Sequence, residues 1–203
     1  MLLIKLWVSR LLLPIMLAAL AAIAFERQWL RSIDYLLYDY AQQLRPPTAL
    51  ENSVVIAIDE PSLTALGRWP WPRKTHAKLI NLLADSGNNT LYFDVLFAEQ
   101  SSAQDDAALA LAIKNHGHVV LPLSIEPMGY QGQMVEVVPA LPFYKAAKAL
   151  GHAHIDCEFD GVCRAVYLRE GVGQAQWPHL SAALWPNAKA LGGIKANNSH
   201  SNL

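Results

Sequence analysis

The pattern of apolar and polar positions changes character three times along the chain. Residues 11–25 form an unbroken apolar run, with Lys5 and Arg10 before it. A bilayer span needs about 20 mostly apolar residues. The run suffices when it is counted from Leu6 and Arg10 reaches back to the surface. Trp7 and Trp29 then stand at the two interfaces, and the positive charge places the N-terminus in the cytoplasm. Ala19-Leu20-Ala21 and Ala22-Ile23-Ala24 also fit the small-residue pattern of signal-peptide cleavage. Residues 1–30 therefore read as a membrane anchor or as a signal peptide, and both readings export the remainder of the chain.

The second stretch is periodic. Leu30, Ile33, Leu37, Tyr40, Ala41 and Leu44 recur at helical spacing, and Arg45-Pro46-Pro47 stops that helix. This predicts a stalk over residues 28–47. Residues 54–59 (VVIAID) are a short apolar run ending in an acid, which predicts a buried strand of a parallel sheet. A turn-rich loop is predicted over 61–72, a helix over 74–84, a strand over 90–97, a helix over 103–115 and a strand over 119–123. Strands alternating with helices of this length argue βαβ units.

Beyond residue 123 the alternation ends. A turn over 130–133 leads to an extra strand over 134–138. A short helix over 143–150 stops at Gly151. Extended runs over 152–157 and 162–168 flank Asp160-Gly161, a hairpin signal. Residues 179–185 read as helical, and residues 187–203, rich in Gly, Asn, Ser and Lys, predict a disordered tail. The predicted fold class is α/β. A largely parallel βαβ-type sheet flanked by helices, with an added hairpin, occupies residues 48–186, and one N-terminal transmembrane helix precedes it.

Composition narrows the function. The chain has 203 residues, 53% of them hydrophobic and 16% charged, with a net charge of -1. It has the core of a globular domain and no basic stripe, so nucleic acid is excluded as a partner. There is no G-x-S-x-G elbow, no H-E-x-x-H helix and no P-loop. No cofactor, no metal and no catalysis are expected. The competing enzymatic reading is a periplasmic hydrolase using Asp59, Asp94 and His76.

Six residues form the candidate ligand-binding set. Ligands of parallel sheets gather beyond the carboxyl ends of the strands, where Asp59, Asp94, Arg73 and His76 would converge if the first two strands are neighbours. Trp69 and Trp71, alternating with Pro70 and Pro72, would add an aromatic wall. The structural alternative pairs Asp59 with Arg73, uses Asp94 to cap backbone and plugs the tryptophans onto the core. Asp105 and Asp106 suit the start of a helix. Cys157 and Cys163 flank the Asp160-Gly161 turn. A three-residue loop would set them opposite each other and allow a disulfide in an oxidising compartment, while a two-residue turn would pair Cys157 with Arg164. His152, His154 and Asp156 alternate along one strand face. They suit a metal or pH response as well as a solvated face.

In order along the chain stand Asp34, Tyr38-Asp39 and Arg45; Ile58-Asp59, Ser62-Leu63 and Leu66-Gly67; Trp69-Pro70-Trp71-Pro72-Arg73 with His76-Ala77; and Phe93-Asp94-Val95-Leu96-Phe97. Asp105-Asp106, Leu109-Ala110, Pro139, Leu141-Pro142, Ala147, Leu150-Gly151-His152 and Asp160-Gly161-Val162-Cys163-Arg164 come after them. In this order the set resembles CHASE2, an extracytoplasmic sensory domain that precedes cytoplasmic kinase or cyclase modules. The resemblance implies an anchor in the plasma membrane, bound to lipid through the N-terminal helix. It also implies a small-molecule or physical stimulus outside, and a homodimer through paired stalks. The likeness fades near Trp185, and neither a second span nor an output module is present between there and Leu203. That predicts a truncated sensor or a non-signalling remnant.

Overall fold

The computed structural model describes residues 2–26, 31–44, 53–87, 89–128, 132–174 and 176–185. They fall into two compact units, Met1–Ala57 and Ile58–Leu203.

The first unit is helical, with α1 (Leu2–Glu26) and α2 (Arg31–Leu44). Ile33, Leu37, Tyr40 and Leu44 form an exposed apolar stripe on α2. Among the described residues no helix is long and apolar enough to cross a membrane. α1 is 25 residues long, but its uninterrupted apolar run from Leu11 to Phe25 falls short of the ~20 residues a span needs. The strand expected over residues 54–59 does not form. Val54 and Val55 are 88% and 91% exposed, and among the described residues no strand pairs with the run. An apolar run becomes a strand only where a neighbour satisfies its backbone. Here Asp59 turns instead into the N-cap of the next helix.

That helix, α3 (Glu60–Leu66), occupies what the sequence predicts as loop. Asp59 accepts a hydrogen bond from the Ser62 amide at 2.9 Å, and Pro61 suits the first turn. α4 (Arg73–Asp85) comes next. β1 is only Leu91–Tyr92, shorter than the predicted 90–97. The Val95 amide turns back to the Phe93 carbonyl at 2.8 Å, a three-residue turn that ends the ladder. α5 (Ala103–His116) is capped by Ser102, whose side chain accepts from the Asp105 amide. It closes at Gly117, which lies in the left-handed region at φ 74°.

β2 (Val119–Met128) is the spine of the sheet. Its residues 119–123 are all buried, as expected for a parallel strand covered on both faces. β1 pairs parallel to it on residues 119–120, and β3 (Gln133–Val137) pairs antiparallel on residues 124–128. α6 (Leu141–Ala146) is shorter than the predicted helix. The run after it becomes β4 (Ala149–His152), parallel to β2. Gly151 is thus a strand residue, not a helix stop.

The hairpin around Asp160-Gly161 is β5 (Ile155–Asp156) with β6 (Ala165–Val166). A second hairpin, β7 (Arg169–Glu170) with β8 (Trp177–Pro178), was not legible in the sequence. A three-residue 3-10 turn, Leu180–Ala182, stands where a helix over 179–185 is predicted. The expected tail over 187–203 lies outside the described residues.

The main core joins one face of the sheet to the helices. Ile80, Leu109 and Ile113 meet Phe93, Phe97, Val119, Leu121 and Phe143 there. On the other face Val120 packs with Leu180 and Ala183. The outcome is a mixed α/β domain with parallel strands β1, β2 and β4 flanked by helices.

Candidate functional site

The Trp69–Arg73 run lies between α3 and α4, and α4 carries its last residue inward. The Arg73 guanidinium lies over the Phe97 ring, 4.5 Å from its centroid. It donates to the Glu99 carbonyl at 3.2 Å, and its Nε stands 4.0 Å from Asp106 Oδ1. Asp106 is buried and accepts from the Ser101 amide at 2.9 Å. Arg73 therefore ties the loops before α4 and α5 together, with Asp106 as its acid.

His76, one turn further on α4, is buried. Its ring meets Trp69 and Phe93 at 5.6 Å, Phe97 at 5.4 Å and Trp71 at 6.2 Å between centroids. Burial, and then the Arg73 charge, push its pKa below the usual imidazole value, so it stands neutral at pH 7. Trp71 donates from Nε1 to the Gly67 carbonyl at 2.7 Å. Trp69, Trp71, Arg73 and His76 are thus brought together into one aromatic and cationic cluster.

Asp59 and Asp94 are exposed and are not joined to it. Among the described residues no hydrogen bond or ion pair links either acid to Arg73 or His76. Asp59 serves α3: Ser62 donates to it from amide and hydroxyl, and these bonds hold its carboxyl below the ordinary range. Asp94 acts electrostatically on His179. The acids, base and cation of a hydrolase are therefore not assembled.

The surface beside the cluster is concave. An open cleft of about 440 Å³ is lined by Glu60, Leu63, Thr64, Arg68 and Trp69. Trp69, 39% exposed, is its aromatic wall. α3, positioned by the Asp59 cap, supplies Glu60, Leu63 and Thr64 from successive turns. Of these five residues the sequence pattern singled out only Trp69. The signal for the α3 residues was the Asp59-x-x-Ser62 cap with Pro61, which places Glu60 and Thr64 on one helical face, and Arg68, beyond the helix, gave none.

The Cys157 and Cys163 sulfurs are bonded, with their Cα atoms 4.0 Å apart. The β5–β6 register pairs Ile155 with Val166 and Asp156 with Ala165, which would set Cys157 opposite Arg164. The Glu158 amide, however, bonds to the Val162 carbonyl at 3.0 Å. One extra residue on the second strand, a bulge, brings the cysteines together. Among the described residues no group of His, Cys, Asp and Glu is arranged to hold a metal ion.

A family model for the CHASE2 domain matches residues 15–199. Neither the curated proteins nor the solved structures contain a match to the chain.

Proposed function

The chain belongs to the CHASE2 domain family, and from that premise we propose that it is the sensory part of a membrane-anchored receptor, with its α/β unit outside the cell membrane. The family match is the observation that carries this reading. Export is supported by the apolar run from Leu11 to Phe25 with Lys5 and Arg10 before it. Retention as an anchor draws on Leu6, Trp7 and Val8 to complete the span. Of the six large apolar residues exposed on α2, Ile33, Leu37, Tyr40 and Leu44 are spaced 4-3-4, the seam of a two-stranded coiled coil, which supports a homodimer through the stalk.

The stimulus site in this reading is the cleft walled by Trp69. Glu60 and Arg68 offer opposite charges and Trp69 and Leu63 an apolar wall, a set suited to a small polar ligand with an apolar part. Trp71, Arg73 and His76 fix the loop that carries Trp69. A ligand signals only if it binds one arrangement of the domain better than another. The reading assigns the chain no chemistry of its own.

Alkaline phosphatase fused after Trp185 of the full chain, assayed for activity and for fractionation, tests the proposal. An active, membrane-bound fusion is expected. An active but released fusion replaces the anchor with a cleaved signal peptide, and an inactive fusion overturns the extracytoplasmic assignment.

A further inference from the structure

At the end of β4 a carboxylate lies buried among imidazoles. The Glu170 side chain, on β7, is 0% exposed, and so is that of His152 at the end of β4. His154 Nδ1 stands 2.8 Å and 2.9 Å from the two Glu170 oxygens, and its side chain is 40% exposed. His152 Nδ1 stands 3.4 Å from Glu170 Oε2, within ion-pair reach but not aligned for a hydrogen bond. Neither His152 ring nitrogen has a hydrogen-bond partner. A buried carboxylate is tolerated only with donors around it, and here one imidazole holds it while the second waits unbonded.

The same residues fasten one part of the fold to another. His152 forms a bridge with His179, whose ring meets it edge-on at 5.3 Å. The His179 amide donates to the Leu168 carbonyl at 2.8 Å. A side chain on Gly151 would strike the Leu180 backbone at 2.6 Å, so the two segments are in direct backbone contact. β7 and β8 pair over only two residues each, and such a hairpin is not stable alone.

We propose that His152, Glu170 and His154 form a proton-operated clasp that holds the β7–β8 hairpin and the segment to Trp185 against β4, closed while His152 is neutral and released when it binds a proton. The inference stands apart from the ligand cleft and survives its failure.

The groups that face His152 set the sign. Burial is the largest influence and disfavours the imidazolium. Glu170 opposes it, His179 and His154 reinforce it, and the Tyr167 carbonyl weakly favours the proton. Asp94 acts on His179, and Asp156 accepts from the Tyr167 hydroxyl at 3.0 Å. The balance drives the His152 pKa from 6.5 down to about 4 in the closed state. Once the segment has lifted off β4, a solvated histidine there titrates near the ordinary value. Closure is therefore fully favoured above pH 6.5. It weakens as pH falls toward 4, by up to about tenfold in the open-to-closed ratio per pH unit.

Hydrogen exchange on the full chain in detergent, expressed as protection factors corrected for intrinsic rate, tests this between pH 7.5 and 4.5. Protection of residues 169–172 and 176–185 should fall below pH 6.5, while α5 stays protected. H152F, or H152Q if the phenylalanine variant does not fold, should abolish the acid response. H154Q should retain it. Simultaneous loss of α5 protection, an unchanged response in the His152 variants, or its disappearance in H154Q would each overturn the clasp.

Discussion

At the scale of single residues, two glycines do opposite jobs. Gly151 lies in a strand with ordinary backbone, and a Cβ there would meet Leu180 Cα at 2.6 Å and Leu180 N at 2.8 Å. Backbone cannot step aside as a flexible side chain can. Gly161 has open space around it but sits at φ 78°, where an L side chain is conformationally strained. We therefore expect Gly151→Ala to lower stability by about 3 kcal/mol, the upper end of overpacking costs. Gly161→Ala should cost about 1 kcal/mol. Urea unfolding of both variants checks the order, and equal losses would refute the steric reading of Gly151. Sequence reasoning saw Gly151 only as a stop signal, because nothing local reveals the chain that passes over it. The partner of Arg73 was hidden in the same way: Asp59 is nearer in sequence, but folding brings Asp106 to it.

At the scale of elements, periodicity found what it could count. α4 and α5 repeat apolar positions over three turns or more, and the buried stretch of β2 is a continuous apolar run, so all three were legible. Short apolar runs were not, because four to eight such residues fit a helix, a strand or an unpaired segment equally well. Residues 147–150, predicted as helix, and 54–59, predicted as strand, failed for this reason. Glu170 gave no signal, since a lone acid beside Arg169 and Gly171 reads as surface. The β5–β6 hairpin was legible from Asp160-Gly161, but its bulge was not, and the bulge decides which residue faces Cys157. The disulfide closes a short loop, which on a chain-entropy estimate contributes about 2 kcal/mol. Arg164 holds Asp160 in a bidentate pair at 3.0 Å and 2.8 Å, so the turn keeps a second fastening. A Cys157→Ser, Cys163→Ser double variant should thus lose no more than about 2 kcal/mol in urea unfolding. A loss of more than about 4 kcal/mol would mean that the disulfide supports the sheet as well as the tip.

At the scale of the whole molecule, both hydrophobic cores belong to one of the two units. The main core, from Ala77 to Phe143, lies wholly within the second unit, and so does the second core around Val120 and Leu180. The residues at the division carry no such packing: Val54 and Val55 are among the most exposed large apolar side chains described, and Ile56 is half exposed. Exposed aliphatic residues outside any helix or strand are what a broad-specificity protease cuts first, whereas cleavage inside the second unit requires opening of its core. Brief proteinase K treatment of the full chain should therefore cut within residues 53–58 before it cuts inside the second unit. The product should be a fragment starting near Ile58 that keeps its near-UV circular dichroism and unfolds cooperatively. Resistance of residues 54–58 would show instead that this apolar run is paired in solution, restoring it to the sheet as the strand its composition suggests. A fragment that loses its tertiary signal on release would show that the α/β unit draws stability from the helices before it, and the division at Ala57 would then be no boundary between independently folded parts.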